Sequence, residues 1–314
     1  MNTLTKAPNP WSIQRFATGL RSPTRWVRKL LKQRFRRAGL KPHRLALELG
    51  HLHVWSGGKG TETLVLLHGF GGSCIWQWAD MVGELAKHYR LLVPDLLWFG
   101  ESDGCQAERS LETQGRAIRK LLAEVGEPVH LAGISYGGFV SYLIANDYPE
   151  LVHSLTLIDC PATVMSTDDY QQILQRFNIP NMNQLLVPDE PRTIPDLMAL
   201  AYHRPPPLPR FAWRDAHDHL FTQHTAERIA LLDNLIDYLD HPHSEKVRQH
   251  PVLILWGEHD LLFPVELAQR LHDHLGARAE LQIIPNTAHA PIVEAPKVIN
   301  NLLIEFLARQ KAIA

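Results

Sequence analysis

The sequence predicts an α/β protein: a mostly parallel sheet with helices on both faces and an inserted helical cap. Three observations predict it. From residue 63 onward, short β-branched and leucine-rich runs alternate with helical patterns, as repeated β–α units do. Such short β-branched and leucine-rich runs suit strands buried on both faces. The alternation then breaks over residues 161–250, a stretch too long for an ordinary βα connection.

In chain order, a helix is predicted over Pro23–Arg37, with Pro23 in its first turn and Gly39 near its stop. Trp26, Val27, Leu30, Leu31 and Phe35 share one broad side of it, blurred by Arg34 and Arg37. Arg44–Leu49 and His51–Ser56 form a hairpin-like pair before the turn Gly57–Gly60. The strands that follow are Thr63–Leu67, Arg90–Pro94, Val129–Ile134, Ser154–Ile158, Val252–Trp256 and Leu281–Ile284. The helices between them are Trp78–Lys87, Leu111–Glu124, Gly137–Asn146, Glu266–Leu275 and Lys297–Arg309. The long interruption has helical patterns around a proline-rich centre, Pro188–Pro209, and the chain resumes a sheet strand at Val252. The organisation is therefore an arm over residues 1–43, a core over 44–160 and 251–314, and a helical cap over 161–250.

Composition narrows the class. With 45% hydrophobic and 21% charged residues, the 314-residue chain is globular rather than disordered. The longest uncharged run, Pro128–Asn146, is interrupted by His130 and three glycines and makes a poor membrane span. The amino terminus shows no signal-peptide block. Cys74, Cys105 and Cys160 form no CxxC pair, which points to a reducing compartment; a cytoplasmic location, or a peripheral one on the inner membrane surface, is expected. Residues 1–47 hold twelve Lys/Arg and no acid, leaving twenty basic against 33 acidic residues in the rest. A basic excess confined to the arm argues against a nucleic-acid partner, which would need it across the folded surface.

The chemistry lies at strand ends. Gly133-Ile134-Ser135-Tyr136-Gly137 follows one strand and opens a helix, which makes Ser135 a nucleophile on a sharp turn. His68-Gly69-Phe70-Gly71-Gly72 follows another. It fits neither phosphate-loop pattern, since position 74 is Cys and no Gly-Lys pair follows. It is instead expected to supply an oxyanion donor, the Phe70 amide, beside that of Tyr136; His68 and Gly69 are then pocket residues. Asp260 ends the run Trp256-Gly257-Glu258-His259-Asp260, and His289 lies on the loop after the last strand. Ser135, Asp260 and His289 stand in the chain order of a nucleophile–acid–base triad. Asp159 is the rival acid and His259 the rival base. Asp95 and Glu294 are expected as structural hydrogen bonders, and Cys74 and Cys160 as small core residues. His217-Asp218-His219 and His241-Pro242-His243 lack metal-site spacing, so no metal is expected.

Over Leu45–Leu307 the sequence resembles the α/β-hydrolase superfamily, through HGFGG, PDLLWFGES, GISYGG, WGEHDLLFP and NTAHAPIVEAP in that order. It is most similar to the bacterial and plant serine esterases that resemble monoacylglycerol lipases. The resemblance implies ester hydrolysis through an acyl-serine, without cofactor, on a small-molecule ester of aliphatic or lipid-like kind. Ser135 excludes the dehalogenase and epoxide-hydrolase chemistries, which need a carboxylate at that position. Carbon–carbon or amide hydrolysis, or a ligand receptor on the same fold, stay open as alternatives. Many relatives have Gly where this chain has Trp98 and Gly where it has Ala288; Trp98 is expected to reshape the pocket rim. The cap is expected to roof the pocket and select the acyl chain. For the arm three expectations stand: peripheral contact with an anionic membrane, organelle targeting, or packing on the body.

Overall fold

The computed structural model describes residues 22–48, 50–104, 108–239 and 246–311. Cys105, His241 and His243 lie outside the described residues, as does the arm before Ser22.

The chain opens with helix α1, Pro23–Arg37, capped by the Ser22 hydroxyl, which accepts from the Arg25 amide. A hairpin follows, β1 (Lys41–Leu47) and β2 (Gly50–Gly57), paired antiparallel with Leu45 opposite Leu52. Next come β3 (Thr63–Leu67), α2 (Cys74–Trp78), α3 (Val82–Leu85), β4 (Arg90–Pro94), α4 (Leu111–Ala123), β5 (Val129–Ile134), α5 (Tyr136–Asp147) and β6 (Val152–Ile158). The run expected as one helix, Trp78–Lys87, is broken in two. Trp78, Met81, Val82 and Leu85 are all buried, so the apolar stripe is real. Between the pieces, however, the bonds Met81 N–H to Trp78 O and Glu84 N–H to Met81 O span three residues rather than four, the tighter turn of a 3₁₀ segment.

Residues 161–250 carry five α-helices and no strand among the described residues: α6 (Thr167–Phe177), α7 (Asn183–Leu186), α8 (Ile194–Ala201), α9 (Arg210–Leu220) and α10 (Thr225–Leu239). Ser166 and Asp169 form a reciprocal capping box on α6. The chain then returns to the sheet with β7 (Val252–Gly257), α11 (Val265–Leu275), β8 (Ala279–Ile284), α12 (Pro291–Glu294) and α13 (Pro296–Lys311). The eight-stranded order is β1-β2-β4-β3-β5-β6-β7-β8. The hairpin joins β4 antiparallel and every pair from β4 to β8 is parallel, so the sheet is mostly parallel as expected.

Each strand alternates between two cores. Leu64 and Leu66 face one, with Trp78, Leu303 and Phe306, while Val65 and Leu67 face the other, with Phe139 and Leu157. α1 belongs to the first core. Phe35 is fully buried, with its ring edge-on to Trp55 at 5.2 Å. Burying such a side chain is worth roughly 2–3 kcal/mol. Part of the helix's charge is spent on the body: Arg28 and Lys32 both pair with Glu101, and Arg34 with Asp80. The described part of the arm therefore packs on the body. Glu101 is desolvated, which alone would raise its pKa, but Lys32 and its other charged neighbours prevail and hold it below the usual carboxylate range. Among the described residues no helix is long and apolar enough to cross a membrane.

Candidate active site

The carboxyl ends of parallel strands leave a crevice where loops converge, and the predicted chemistry stands there. Between β5 and α5, Ser135 has φ 52° and ψ −122°, a backbone conformation that costs roughly 1–3 kcal/mol and persists only when its surroundings enforce it. They do. The Ser135 amide donates to Ile158 O at 2.9 Å, tying the turn to β6. A side chain on Gly133 would collide with Gly137 O, and one on Gly137 with His68 O. The glycines of the pentapeptide thus let β5, α5 and the His68 loop close around the serine.

The three predicted side chains form one hydrogen-bonded chain. The Ser135 hydroxyl is 2.9 Å from His289 Nε2, and His289 Nδ1 is 2.8 Å from Asp260 Oδ2. Asp260 has no exposed side-chain surface. Its other oxygen accepts from the amides of Leu262 and Phe263 at 2.8 and 2.9 Å, which fixes the orientation of the carboxylate. With Nδ1–H donating to Asp260, Nε2 is left as an acceptor for the serine proton. Phe263 packs edge-on against the His289 ring at 5.4 Å. Glu294 accepts from the Ala288 amide at 2.7 Å and from the cap's His203 amide at 2.9 Å. One carboxylate therefore holds the His289 loop to the cap, matching the structural part expected of it.

The rivals fall elsewhere. Asp159 is fully buried and accepts from the Gly257 amide at 2.7 Å. Burial, reinforced by the neighbouring Asp260 charge, pushes its carboxyl well above the usual range. His259 stacks on His203 at 4.2 Å and faces Glu258.

Tyr136 is the first residue of α5, so its amide is one of the first-turn donors that a helix cannot use internally. The Gly69 amide donates to Gln77 at 2.7 Å, and its Cα is close enough to Ser135 that an added Cβ would lie 3.0 Å from the serine Cβ. This brings Phe70, the next residue, beside Ser135; its ring is edge-on to Tyr136 at 5.3 Å.

Two apolar cavities meet at Ser135. The larger, about 420 Å³, has Gly69, Phe70 and His289 in its wall together with residues of α1, α8 and α9. The smaller, about 40 Å³, is lined by Phe70, Tyr136, Phe139 and Phe263 and by the cap's Ile173 and Leu235. Of the three expected pocket residues, Gly69 is in a wall and the other two are not. His68 is fully buried behind the loop, where Nδ1 bonds Gly69 O at 2.7 Å and Nε2 accepts from the Leu96 amide at 2.9 Å. Burial lowers its pKa against the opposing pull of Asp95. Trp98 is also buried, in the left-handed region at φ 64°. Arg109 lies over its ring at 5.5 Å, and Arg228 donates to its carbonyl at 3.1 Å. Trp98 thus anchors a turn beneath the cap instead of reshaping a rim.

Sequence reasoning missed Arg228. Its guanidinium is buried and also donates to Leu220 O at 2.8 Å, and burial lowers its pKa to about 10. It missed as well Pro23, Thr24 and Val27 of α1, which line the larger cavity. His219, one of the candidate metal histidines, is bonded instead by Arg25 at 2.9 Å. Among the described residues no group of three or more His, Cys, Asp or Glu could hold a metal ion.

A strained serine at a strand–helix turn, bonded to a histidine that a buried carboxylate orients, defines a hydrolase site on an α/β sheet. Comparison with known proteins agrees. Residues 64–302 match the model of the alpha/beta hydrolase family, and the chain belongs to that family. A monoacylglycerol lipase of Bos taurus is 26% identical over 78% of this chain and 75% of its own. Lipase 1 of Psychrobacter immobilis is 26% identical over 86% of this chain and 84% of its own. Among solved structures, a bacterial membrane phospholipase A superposes with a TM-score of 0.80 at 27% identity, covering 95% of this chain and 96% of that one.

Proposed function

We propose that the chain is a serine hydrolase of lipid-like carboxylic esters. The observation that carries this is the Ser135–His289–Asp260 hydrogen-bond chain at the junction of two apolar cavities. His289 takes the Ser135 proton as the hydroxyl attacks the acyl carbon, and Asp260 holds the imidazole tautomer and stabilises the imidazolium. The Phe70 and Tyr136 amides receive the oxyanion; each such donor is worth ~3 kcal/mol in the transition state. The alcohol departs with the proton from His289, and water, deprotonated by the same ring, splits the acyl-serine. The apolar cavity walls and the lipases among the relatives support a lipid-like ester. The test is a fluorophosphonate probe followed by turnover of an ester panel graded by acyl length, monoacylglycerols included. Labelling at Ser135 with multiple turnovers is expected; labelling without turnover favours a receptor.

The arm's outer face supports a second proposal, peripheral contact with an anionic bilayer. Trp26 on α1 and Phe211 on α9 are 61% and 67% exposed, and Leu30 and Leu208 are also exposed. Lys29, Arg210 and Arg214 lie exposed on the same two helices. Apolar side chains flanked by basic ones are what an interfacial helix presents to anionic headgroups.

A further inference from the structure

The two cavities at Ser135 differ about tenfold in volume, about 420 against 40 Å³, and the triad geometry says which half of an ester each receives. At a carbonyl carbon under attack, Ser135 Oγ occupies one direction and the oxyanion, facing the Phe70 and Tyr136 amides, a second. The alkoxy oxygen must lie within hydrogen-bond reach of His289 Nε2, because that nitrogen holds the proton it needs. The acyl chain takes the direction that remains. His289 and its neighbour Ala290 are in the wall of the larger cavity. His289 is absent from the wall of the smaller cavity, which is lined by Tyr136, Phe139, Met165, Ile173, Leu235 and Phe263 among others.

We infer that the alcohol half of the substrate lies in the larger cavity and the acyl half in the smaller one, so that the preferred esters join a compact acyl group to a large apolar alcohol. This rests on the serine-esterase reading above. The bond changes follow from it. Attack forms the Ser135 Oγ–carbon bond and moves the serine proton to His289. Collapse breaks the carbon–alkoxy bond, the proton passes from His289 to the departing oxygen, and the alcohol occupies the larger cavity as it leaves. Water then cleaves the small acyl group from Ser135, releasing the acid and restoring the hydroxyl.

The arm takes part in this selection. Pro23, Thr24 and Val27 of α1 face the larger cavity alongside Ala212 and Ala216 of α9. The two helices are tied where they meet, the Thr24 amide donating to Asp215 at 2.7 Å. One wall of the alcohol site thus comes from the first described helix of the chain, and the cap contributes to both sites rather than to the acyl site alone.

Reversed esters of one formula test the assignment without any variant. Decyl acetate carries the long chain on the alcohol and ethyl decanoate carries it on the acyl group. The expected result is kcat/KM at least tenfold higher for decyl acetate. Equal rates, or faster ethyl decanoate, overturn the assignment. As a second arm, Ala216→Trp and Val27→Trp each narrow the larger cavity and should lower the ratio of decyl acetate to ethyl acetate turnover at least fivefold. If they instead lower the ratio of ethyl decanoate to ethyl acetate turnover, the assignment is wrong. Failure of the underlying reading looks different: folded protein that hydrolyses neither isomer and takes no fluorophosphonate label is not an esterase at all.

Discussion

Two walls enclose Ser135 and they are made differently. The core wall is set by backbone: a strained turn after β5, two amides clamping Asp260, and a carboxylate clamping the His289 loop. The outer wall, from the cap and α1, is side chains projected from separate helices. It is tied to the core by side-chain contacts spread over those helices, such as Arg28 to Glu101, Arg228 to the Trp98 carbonyl and Glu294 to the His203 amide. The difference teaches a division of labour. Reacting atoms need placement to a fraction of an ångström, which converging loops on a buried sheet provide. A space for alkyl groups needs volume and apolar surface, which side chains of separate helices can supply.

The largest effect should come from breaking the core wall alone. Ser135→Ala removes the nucleophile without adding volume, and kcat for any hydrolysed ester should fall ~10⁴–10⁶-fold, the loss seen when members of a triad act as a unit. Circular dichroism and thermal midpoint should stay near the parent's, since no packing contact of the outer wall is touched. Retained activity in a contaminant-free preparation sinks the mechanism.

The same division explains what could be read from residues. Each triad member follows a strand, and the sheet contains short apolar runs such as Leu64–Leu67 and Val252–Trp256. Local pattern therefore located the sheet and the strand ends where the three side chains meet. The outer wall was not legible, because which side chains of α1, α8 and α9 face the cavity depends on how distant helices cross. His68 and Trp98 show a second limit. Both stand in motifs beside the site, yet His68 is used to brace its own loop against Leu96 and Trp98 to floor the cap. A motif tells where a residue stands along the chain, and only the fold tells which way it points. The division of Trp78–Lys87 into two helices is of the same kind, since the apolar stripe is identical for one helix or two.

A test of how firmly the outer wall is attached is Phe35→Ala. It empties the site where α1 docks on Trp55, and a Phe→Ala cavity in a core costs ~3–5 kcal/mol. If α1 unfolds together with the body, the unfolding free energy should fall by that amount, read as a lower denaturant midpoint at an unchanged slope. A much smaller loss accompanied by early proteolysis before Lys41 would show instead that α1 opens by itself, and the two walls would then be separable in stability as well as in construction.

A slightly smaller effect is expected from pH at the opposite end of β5. His130 is buried there, with Nδ1 2.8 Å from the Ser154 hydroxyl. Burial first, and the neighbouring His153 second, lower its pKa to about 4. The unfolded ring takes a proton near pH 6.5. Between those values the unfolded state binds more protons, so stability rises with pH across the window and drains away as pH falls through it. The total is about 3 kcal/mol. Denaturant midpoints measured from pH 7 to pH 4 should drop accordingly, and His130→Gln should flatten the curve. An equal slope in the variant would remove His130 from the account and leave other groups to supply it.

The smallest expected effect bears on whether the outer wall faces a bilayer. Starting the chain at Lys41 would strip Leu31 and Phe35 from the core, so lost binding by that truncation would not separate a surface contact from unfolding. Point changes at exposed positions do. Lys29→Glu on α1 and Arg210→Glu on α9 each reverse an exposed charge on the helices that carry Trp26 and Phe211, and a basic residue near an anionic surface adds ~1 kcal/mol. Either change should therefore weaken flotation with anionic vesicles severalfold at low salt, and raised salt should shrink the difference as screening grows. Trp26→Ala and Phe211→Ala should weaken it too, with little dependence on salt. Because the chain beyond residue 47 carries a net excess of acid, an anionic surface repels it as a whole, and attraction has to come from local basic residues such as Lys29 and Arg210. Flotation that ignores all four changes, or none by the parent protein at low salt, would leave the exposed apolar side chains without a lipid partner and reject the bilayer contact.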